Sequence, residues 1–363
     1  MSPRSSRVFD RLSFARLPLG AVGVVLLFLF AVHLLGTATE AAAPTIERVF
    51  FQVVVGDASA LGVSWLGAYV LANGSVIAAL ALSLFSVDIV SPPQLFLMVA
   101  GSRLGAAAVV VFIGALDYFQ KKRYSLRKAV SMGLLTFLLT LSIYLPVTVL
   151  GYVTSPYLHA PFRAASRGWT IGFQPLAVFD PFTVTITTSI GPVLSVLVAV
   201  GILFGSLKLF DRLLTKVDTA TLRQRFFSQF QHVWVSFAIG LAVTTVTTSV
   251  AFSLGVIVPL YNRGYVERDE LIPYVLGANL GTLFDTLVVA VVLDLPFGAA
   301  VVLELLAIAT LVTLGALTVH DTYSRFIATV YDRLLDDRTA FTAFILMLLL
   351  VPLALLLVPL ALR

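Results

Sequence analysis

The sequence predicts an all-α polytopic membrane protein with about seven crossings and two re-entrant hairpins, built as an inverted repeat of a hairpin plus a crossing helix. Three observations predict it. Apolar runs long enough to span hydrocarbon recur along the chain, basic residues concentrate in alternate loops, and one short motif occurs twice behind similar turn signals.

Hydrophobic residues make up 59% of the 363 and charged residues 12%, with a mean hydropathy of +1.00, whereas soluble domains are about a quarter charged. Runs of roughly 20 apolar residues, enough to cross about 30 Å of hydrocarbon, extend from Leu17 almost to the C-terminus. They do not alternate as barrel strands do, which leaves helices to satisfy the backbone in lipid. The lipid bilayer is therefore the expected solvent and a cell membrane, plasma or inner, the expected location. The net charge of +5 sits in short loops between apolar runs, where it orients a membrane protein rather than binding nucleic acid. The absence of cysteine excludes disulfides and thiolate metal sites. The four histidines are scattered without metal-binding spacing.

The basic stretch Arg4 to Arg16 precedes Leu17 to Gly36, which at about 20 residues reads as a retained first helix rather than a signal peptide. Further apolar segments are Leu61–Phe85, Gln94–Leu116, Ala129–Val153, Ser189–Leu209, Val233–Pro259, Leu271–Leu293, Phe297–Val319 and Phe341–Leu362. If all crossed, with the N-terminus cytoplasmic, the Lys121 to Lys128 cluster would lie outside, against the positive-inside rule. Leu61–Phe85 holds Asn73-Gly74 at its middle, a turn signal, and reads as a hairpin entering from outside. Val233–Pro259 has the polar, β-branched centre Thr244 to Ser249, poor for a helix in lipid, and reads as a hairpin entering from inside. This topology places nineteen Lys and Arg in cytoplasmic stretches and three, Arg48, Arg163 and Arg167, outside. The long segment Thr154 to Thr188 has room for an interfacial element. The expected units are 1–48 (first helix), 49–128 (repeat 1), 129–232 (linking helices), 233–319 (repeat 2) and 320–363 (last helix).

Behind each hairpin a crossing helix opens with a similar string, Gly101-Ser102-Arg103-Leu104-Gly105-Ala106 and Gly277-Ala278-Asn279-Leu280-Gly281-Thr282. Matching Ser75 to Ser249 leaves a two-residue difference in spacing, which a loop insertion would absorb. Inverted repeats with broken helices are a common transporter plan, because half-helix ends present free N–H and C=O groups at the midplane. The tips offer Asn73, Gly74, Ser75, Thr247, Thr248 and Ser249, uncharged groups suited to Na⁺ or an oxyanion. The motif strings add Ser102, Arg103, Asn279 and Thr282, and Asp285 follows them. An intramembrane Arg needs a partner. Arg103 is read either as a contact for an anionic substrate or a substitute for a bound cation, or as an ion pair with Asp285. The spacing Gly201 to Gly205 repeats the GxxxG pattern of the two strings. Trp65, Trp169 and Trp234 read as interfacial anchors.

These residues resemble the sodium-dependent phosphate cotransporters, the type II proteins and their bacterial relatives. In that family each hairpin tip is Gln-Ser-Ser-Ser and the helix motif is Gly-Ala-Asn-Ile-Gly-Thr. Gly277 to Thr282 is close to the helix motif and Gly101 to Ala106 is a weaker copy, while Ala72 to Ser75 and Val246 to Ser249 stand where the family has its tips, without the glutamines. The resemblance covers roughly 56–116 and 236–293. It implies a secondary active transporter, a sodium-coupled symport of phosphate or a similar inorganic anion, with Thr248, Ser249 and Asn279 as Na⁺ ligands. No other cofactor is implied, and a homo-oligomer is compatible with it. The alternative is a non-transporting scaffold or sensor on the same fold. No nucleophile or metalloprotease motif points to an enzyme.

Overall fold

Backbone groups in hydrocarbon must find partners within their own segment, and every regular element among the described residues is helical. The computed structural model describes residues 3–121, 126–166, 175–214, 232–250, 252–254, 257, 261 and 267–362. Lys122, Arg123, Arg167, Trp169, the basic stretch from Lys216 to Arg225, Arg263 and much of the second arm of the second expected hairpin lie outside them.

The first half comprises α1 (Pro3–Val53), α2 (Asp57–Leu71), α3 (Gly74–Ser86), α4 (Pro92–Lys121) and α5 (Leu126–Ser166). A 3-10 turn at Pro175–Phe179 leads to α6 (Asp180–Ile190) and α7 (Pro192–Leu214). The second half comprises α8 (Val233–Thr247), α9 (Arg268–Gly281), α10 (Leu283–Val292), α11 (Pro296–Thr318), α12 (His320–Asp336) and α13 (Arg338–Ala361). Among the described residues seven helical stretches are long and apolar enough to cross a membrane, in α1, α4, α5, α7, α9 with α10, α11 and α13. They fall on the seven segments expected to cross.

Several boundaries differ from expectation. Helix α1 runs on through the strong helix formers Ala41 to Ala43, past both Gly36 and the 48/49 boundary. Helix α5 continues to Ser166 through Pro146, Pro156 and Pro161, and α6 occupies part of the segment read as a long loop. The expected helix Leu271–Leu293 is interrupted at Thr282, whose hydroxyl bonds back to Asn279 O at 2.7 Å. Helix α12 is unanticipated. It buries Ser324, Ile327 and Tyr331, an i, i+3, i+7 face, and is tied down by Ser324 to Asp269, by Tyr323 to Ser142 at 2.7 Å, and by Arg268 to Asp332 at 3.4 Å.

Two stretches match at a constant offset of 176 residues. Helices α2 and α8 both have 15 residues and end on left-handed residues, Ala72 and Thr248, each with φ of 50°. The residue that follows caps the next turn: Asn73 Oδ1 accepts from Val76 N at 3.1 Å, and Ser249 Oγ accepts from Phe252 N at 3.1 Å. At the start of α4, Ser91 N donates to Gln94 Oε1 at 3.0 Å; at the start of α9, Glu267 N donates to Glu270 Oε2 at 2.9 Å. Asn73 therefore matches Ser249, and no insertion separates the two matching stretches.

The glycines show why the two stretches pack alike. A Cβ on Gly101 would lie 2.8 Å from Leu61 O, and one on Gly277 would lie 2.8 Å from Leu241 N and closer still to Phe237 O. Gly105 and Gly281 face the next turn of α2 and α8, at Ala68 and Thr244, and Gly240 abuts Tyr274 O. Glycine here lets two helix backbones touch. A Cβ on Gly201 or Gly205 would meet nothing within 4 Å among the described residues, so their shared spacing marks no such contact there. Trp65, on α2, is buried at only 4% exposed rather than at a surface, while Trp234 is half exposed. Gly277→Ala and Gly240→Ala should each destabilise by roughly 1–3 kcal/mol through overpacking, with Gly201→Ala and Gly205→Ala near neutral. Thermal unfolding of the four purified variants in one detergent checks this, and equal losses at all four positions would refute the packing account.

Candidate functional site

A left-handed residue ends each of α2 and α8, so the chain leaves the helix axis there and free carbonyls remain at the helix end. Both breaks face a single cavity of about 460 Å³, within the range of small-ligand sites. Of the sequence-predicted residues, Asn73, Gly74, Ser75, Arg103, Thr248, Ser249, Asn279 and Thr282 line it. Gly74 also allows close approach, since a Cβ there would lie 2.6 Å from Ser102 O.

Arg103 and Asp285 form a buried ion pair, Nη2 to Oδ1 at 3.1 Å, with the side chains 6% and 4% exposed. Ser75 Oγ donates to Asp285 Oδ2, and Arg103 Nη2 also donates to Thr286 Oγ1. Thr286 Oγ1 donates to Asp285 Oδ1 at 2.9 Å. Of the readings of Arg103, the ion pair is the one the structure shows. Arg103 Nε is buried and has no partner among the described residues. Asp285 does not line the cavity itself; it reaches it through Ser75 and Arg103.

Asn279 Nδ2 donates to Thr140 Oγ1 at 3.0 Å, and its carbonyl accepts from Tyr144 OH at 3.2 Å. These bonds fix Asn279 from α5. Ser249 Oγ donates to Asp211 on α7.

Two expected residues fall outside the site. Thr247 Oγ1 bonds back to Val243 O at 2.6 Å, and Ser102 Oγ to Val99 O at 2.7 Å. Each hydroxyl satisfies its own helix, as Ser and Thr commonly do in membranes, and neither residue lines the cavity. Conversely Thr136, Thr140, Tyr144 and Asp211 line it unforeseen. Thr136, Thr140 and Tyr144 share an i, i+4, i+8 face of α5 that was legible as a polar stripe.

A second cavity, of about 810 Å³, lies at the other end of α3, lined by Ser86 and Asp88 with His33, Glu40, Asp180 and Asp294. His33 Nε2 meets Asp180 Oδ1 at 2.7 Å. At 1.5 Å per residue, the 13 residues of α3 separate the two cavities by about 20 Å. Between them α3 is buried, with Ser83 Oγ donating to Thr39 Oγ1 at 2.8 Å.

No family model matches the chain, and comparison with curated proteins and with solved structures gave no match.

Removing one partner of a buried pair strands the other charge, at about 3–5 kcal/mol, whereas replacing both with apolar groups is often near neutral. Arg103→Met and Asp285→Leu should each unfold the protein at markedly lower temperature, and the double variant should recover most of the loss. Additive losses in the double variant would show that the two side chains are not coupled.

Proposed function

We propose that this chain is a secondary active transporter of the inverted-repeat kind, carrying phosphate or a similar small oxyanion together with sodium. The observation that carries the reading is the meeting of two helix breaks at one cavity, at positions matched by the 176-residue offset. In transporters of this plan such breaks form the midplane site, with half-helix N-termini toward the anion and freed carbonyls toward the cation. Read with the membrane topology of the sequence, α2 with α3, and α8 with the turn after it, are re-entrant hairpins of opposite orientation. Under that topology the two cavities lie at the two ends of buried α3, one at the helix breaks and the other toward the outer face. The resemblance of the motif strings to sodium-dependent phosphate cotransporters supplies the substrate and the ion.

Thr248 adds a further argument. A β-branched residue in the left-handed region is an outlier, with a cost of order 1–2 kcal/mol, yet the first copy manages the same turn with Ala72. Strain kept at a cavity wall points to a use for the side chain, here the hydroxyl.

One observation favours a second reading, a non-transporting scaffold or sensor: the cavity's guanidinium is already matched by Asp285. Uptake of radiolabelled phosphate into proteoliposomes, with an inward Na⁺ gradient imposed or collapsed, separates the two. Gradient-dependent uptake is expected for the transporter. Thr248→Gly should relax the turn, leave the unfolding temperature equal or higher, and lower uptake about tenfold or more, the loss of one well-placed hydrogen-bonding group. Folded protein that moves neither phosphate nor sulfate under either condition would decide for the scaffold.

A further inference from the structure

Asp211 stands apart from the rest of the polar lining. It lies on α7, outside both stretches that resemble the phosphate cotransporters, and lines the cavity at the second break. A carboxylate only accepts hydrogen bonds, with about four lone-pair sites on its two oxygens. The Ser249 hydroxyl donates to Oδ1, which leaves Oδ2 and the remaining lone pairs for a donor that enters the cavity. Asp285, the other carboxylate of the polar centre, has its oxygens engaged by Arg103, Ser75 and Thr286 and does not line the cavity.

Groups of the opposite kind gather at the first break. The 13-residue helix α3 starts at the cavity, and Gly74 and Ser75 belong to its first turn, whose N–H groups have no intrahelical acceptor. Asn73 Oδ1 takes the next N–H, that of Val76. Arg103 lines the same cavity at 7% exposure, and its Nε is buried without a partner among the described residues. A helix start of this kind favours an anion. The cavity therefore offers donors at one break and an acceptor at the other.

Small tetrahedral oxyanions differ in what they can give that acceptor. Inorganic phosphate and arsenate keep at least one O–H at neutral pH, whereas sulfate has none. An O–H turned to Asp211 makes a charge-assisted hydrogen bond, stronger than a neutral one. A sulfate oxygen in the same place sets lone pairs against a carboxylate, a like-charge contact in a medium of low dielectric. Sites built to hydrogen-bond a substrate O–H reject analogues without it by factors on the order of 10⁴. For Asp211, which is only partly buried, a factor of about a hundred is expected.

We infer that Asp211 is the specificity-determining residue of this cavity: it accepts a hydrogen bond from a protonated oxyanion held by the first turn of α3 and Arg103, and so admits phosphate or arsenate and rejects sulfate. The proton stays on the oxyanion throughout. Ser249, by donating to Oδ1, orients the carboxylate and is a positioning residue for it. The assignment rests on the transporter reading in one respect, that this cavity receives an oxyanion, and deepens it by naming the side chain that selects among oxyanions.

The test is equilibrium binding of radiolabelled phosphate to the purified full chain in detergent and sodium chloride, displaced by unlabelled phosphate, arsenate or sulfate, in wild type and Asp211→Asn. Asparagine keeps the size of the side chain and an acceptor for Ser249, and it adds an N–H that a sulfate oxygen can accept. In the wild type, arsenate should displace the label about as well as phosphate does, and sulfate only at about a hundredfold higher concentration. In Asp211→Asn, at an equal unfolding temperature, that gap should close to about tenfold or less. Sulfate that competes as well as arsenate in the wild type, a gap that Asp211→Asn leaves intact, or folded wild type that binds no phosphate overturns the assignment. The wild-type comparison needs no variant and can refute it alone. Selective binding by protein that takes up no phosphate in proteoliposomes would sink the transporter reading and leave the assignment standing. Sodium-driven phosphate uptake that sulfate and arsenate inhibit equally would do the reverse.

Discussion

The buried pair of Arg103 and Asp285 is the contact on which the polar centre depends. An intramembrane guanidinium costs from about 2.5 kcal/mol upward unless it is matched, and here a carboxylate, two hydroxyls and three helices share the task. Ser75 stands at the start of α3, Arg103 on α4, and Asp285 with Thr286 on α10. Separating α4 from α10 would strand both charges in a dry interior, so these elements are held as one body. The polar contacts that join this body to α1 and α7 are weaker, and apolar packing of Val32, Leu34 and Leu35 accompanies the first of them. They are hydroxyl bonds, Ser83 to Thr39 on α1, and, for the second break, Ser249 to Asp211 on α7.

The two matching stretches agree where backbones touch and differ where chemistry is done. The residues 176 positions apart keep helix length, left-handed cap, first-turn capping and glycine contacts. At the same offset Arg103 faces Asn279, Ala106 faces Thr282 and Val109 faces Asp285. Geometry tolerates little change, because a Cβ at a helix contact collides with a carbonyl whatever the side chain's character. Polarity around a cavity tolerates much. The result is a near-symmetric frame around an asymmetric site, in which the partner of Arg103 is not its counterpart in the repeat.

The crossing helices were legible because a 20-residue apolar run has few alternatives in a chain of this composition. The breaks at Ala72 and Thr248 were legible too, one through Asn73-Gly74 and the other through a run of threonines that no lipid-facing helix would favour. The ends of α1 and α5 were not, since a helix stops where capping and packing stop it, and neither follows hydropathy. Helix α12 escaped because its apolar face is narrow and its mean character polar, which a search for apolar runs passes over. Within the site, Thr247 and Ser102 were misplaced for one reason: a hydroxyl in a string of polar residues can bond its own helix or a ligand, and only the fold says which. The register of the repeat was set wrongly by matching Ser75 with Ser249 as letters, when the turn itself aligns Asn73 with Ser249.

Asp211 was missed because attention to the repeat excludes what lies beside it. Its presence changes the electrostatic argument for the cavity. Had Arg103 been the only charge there, an anion could enter alone and be neutralised. With Arg103 matched by Asp285, Asp211 is the lining carboxylate whose contact among the described residues is a neutral hydroxyl, that of Ser249. The two carboxylates of the polar centre are thus unlike: Asp285 is compensated inside the protein, while Asp211 presents its charge to the cavity.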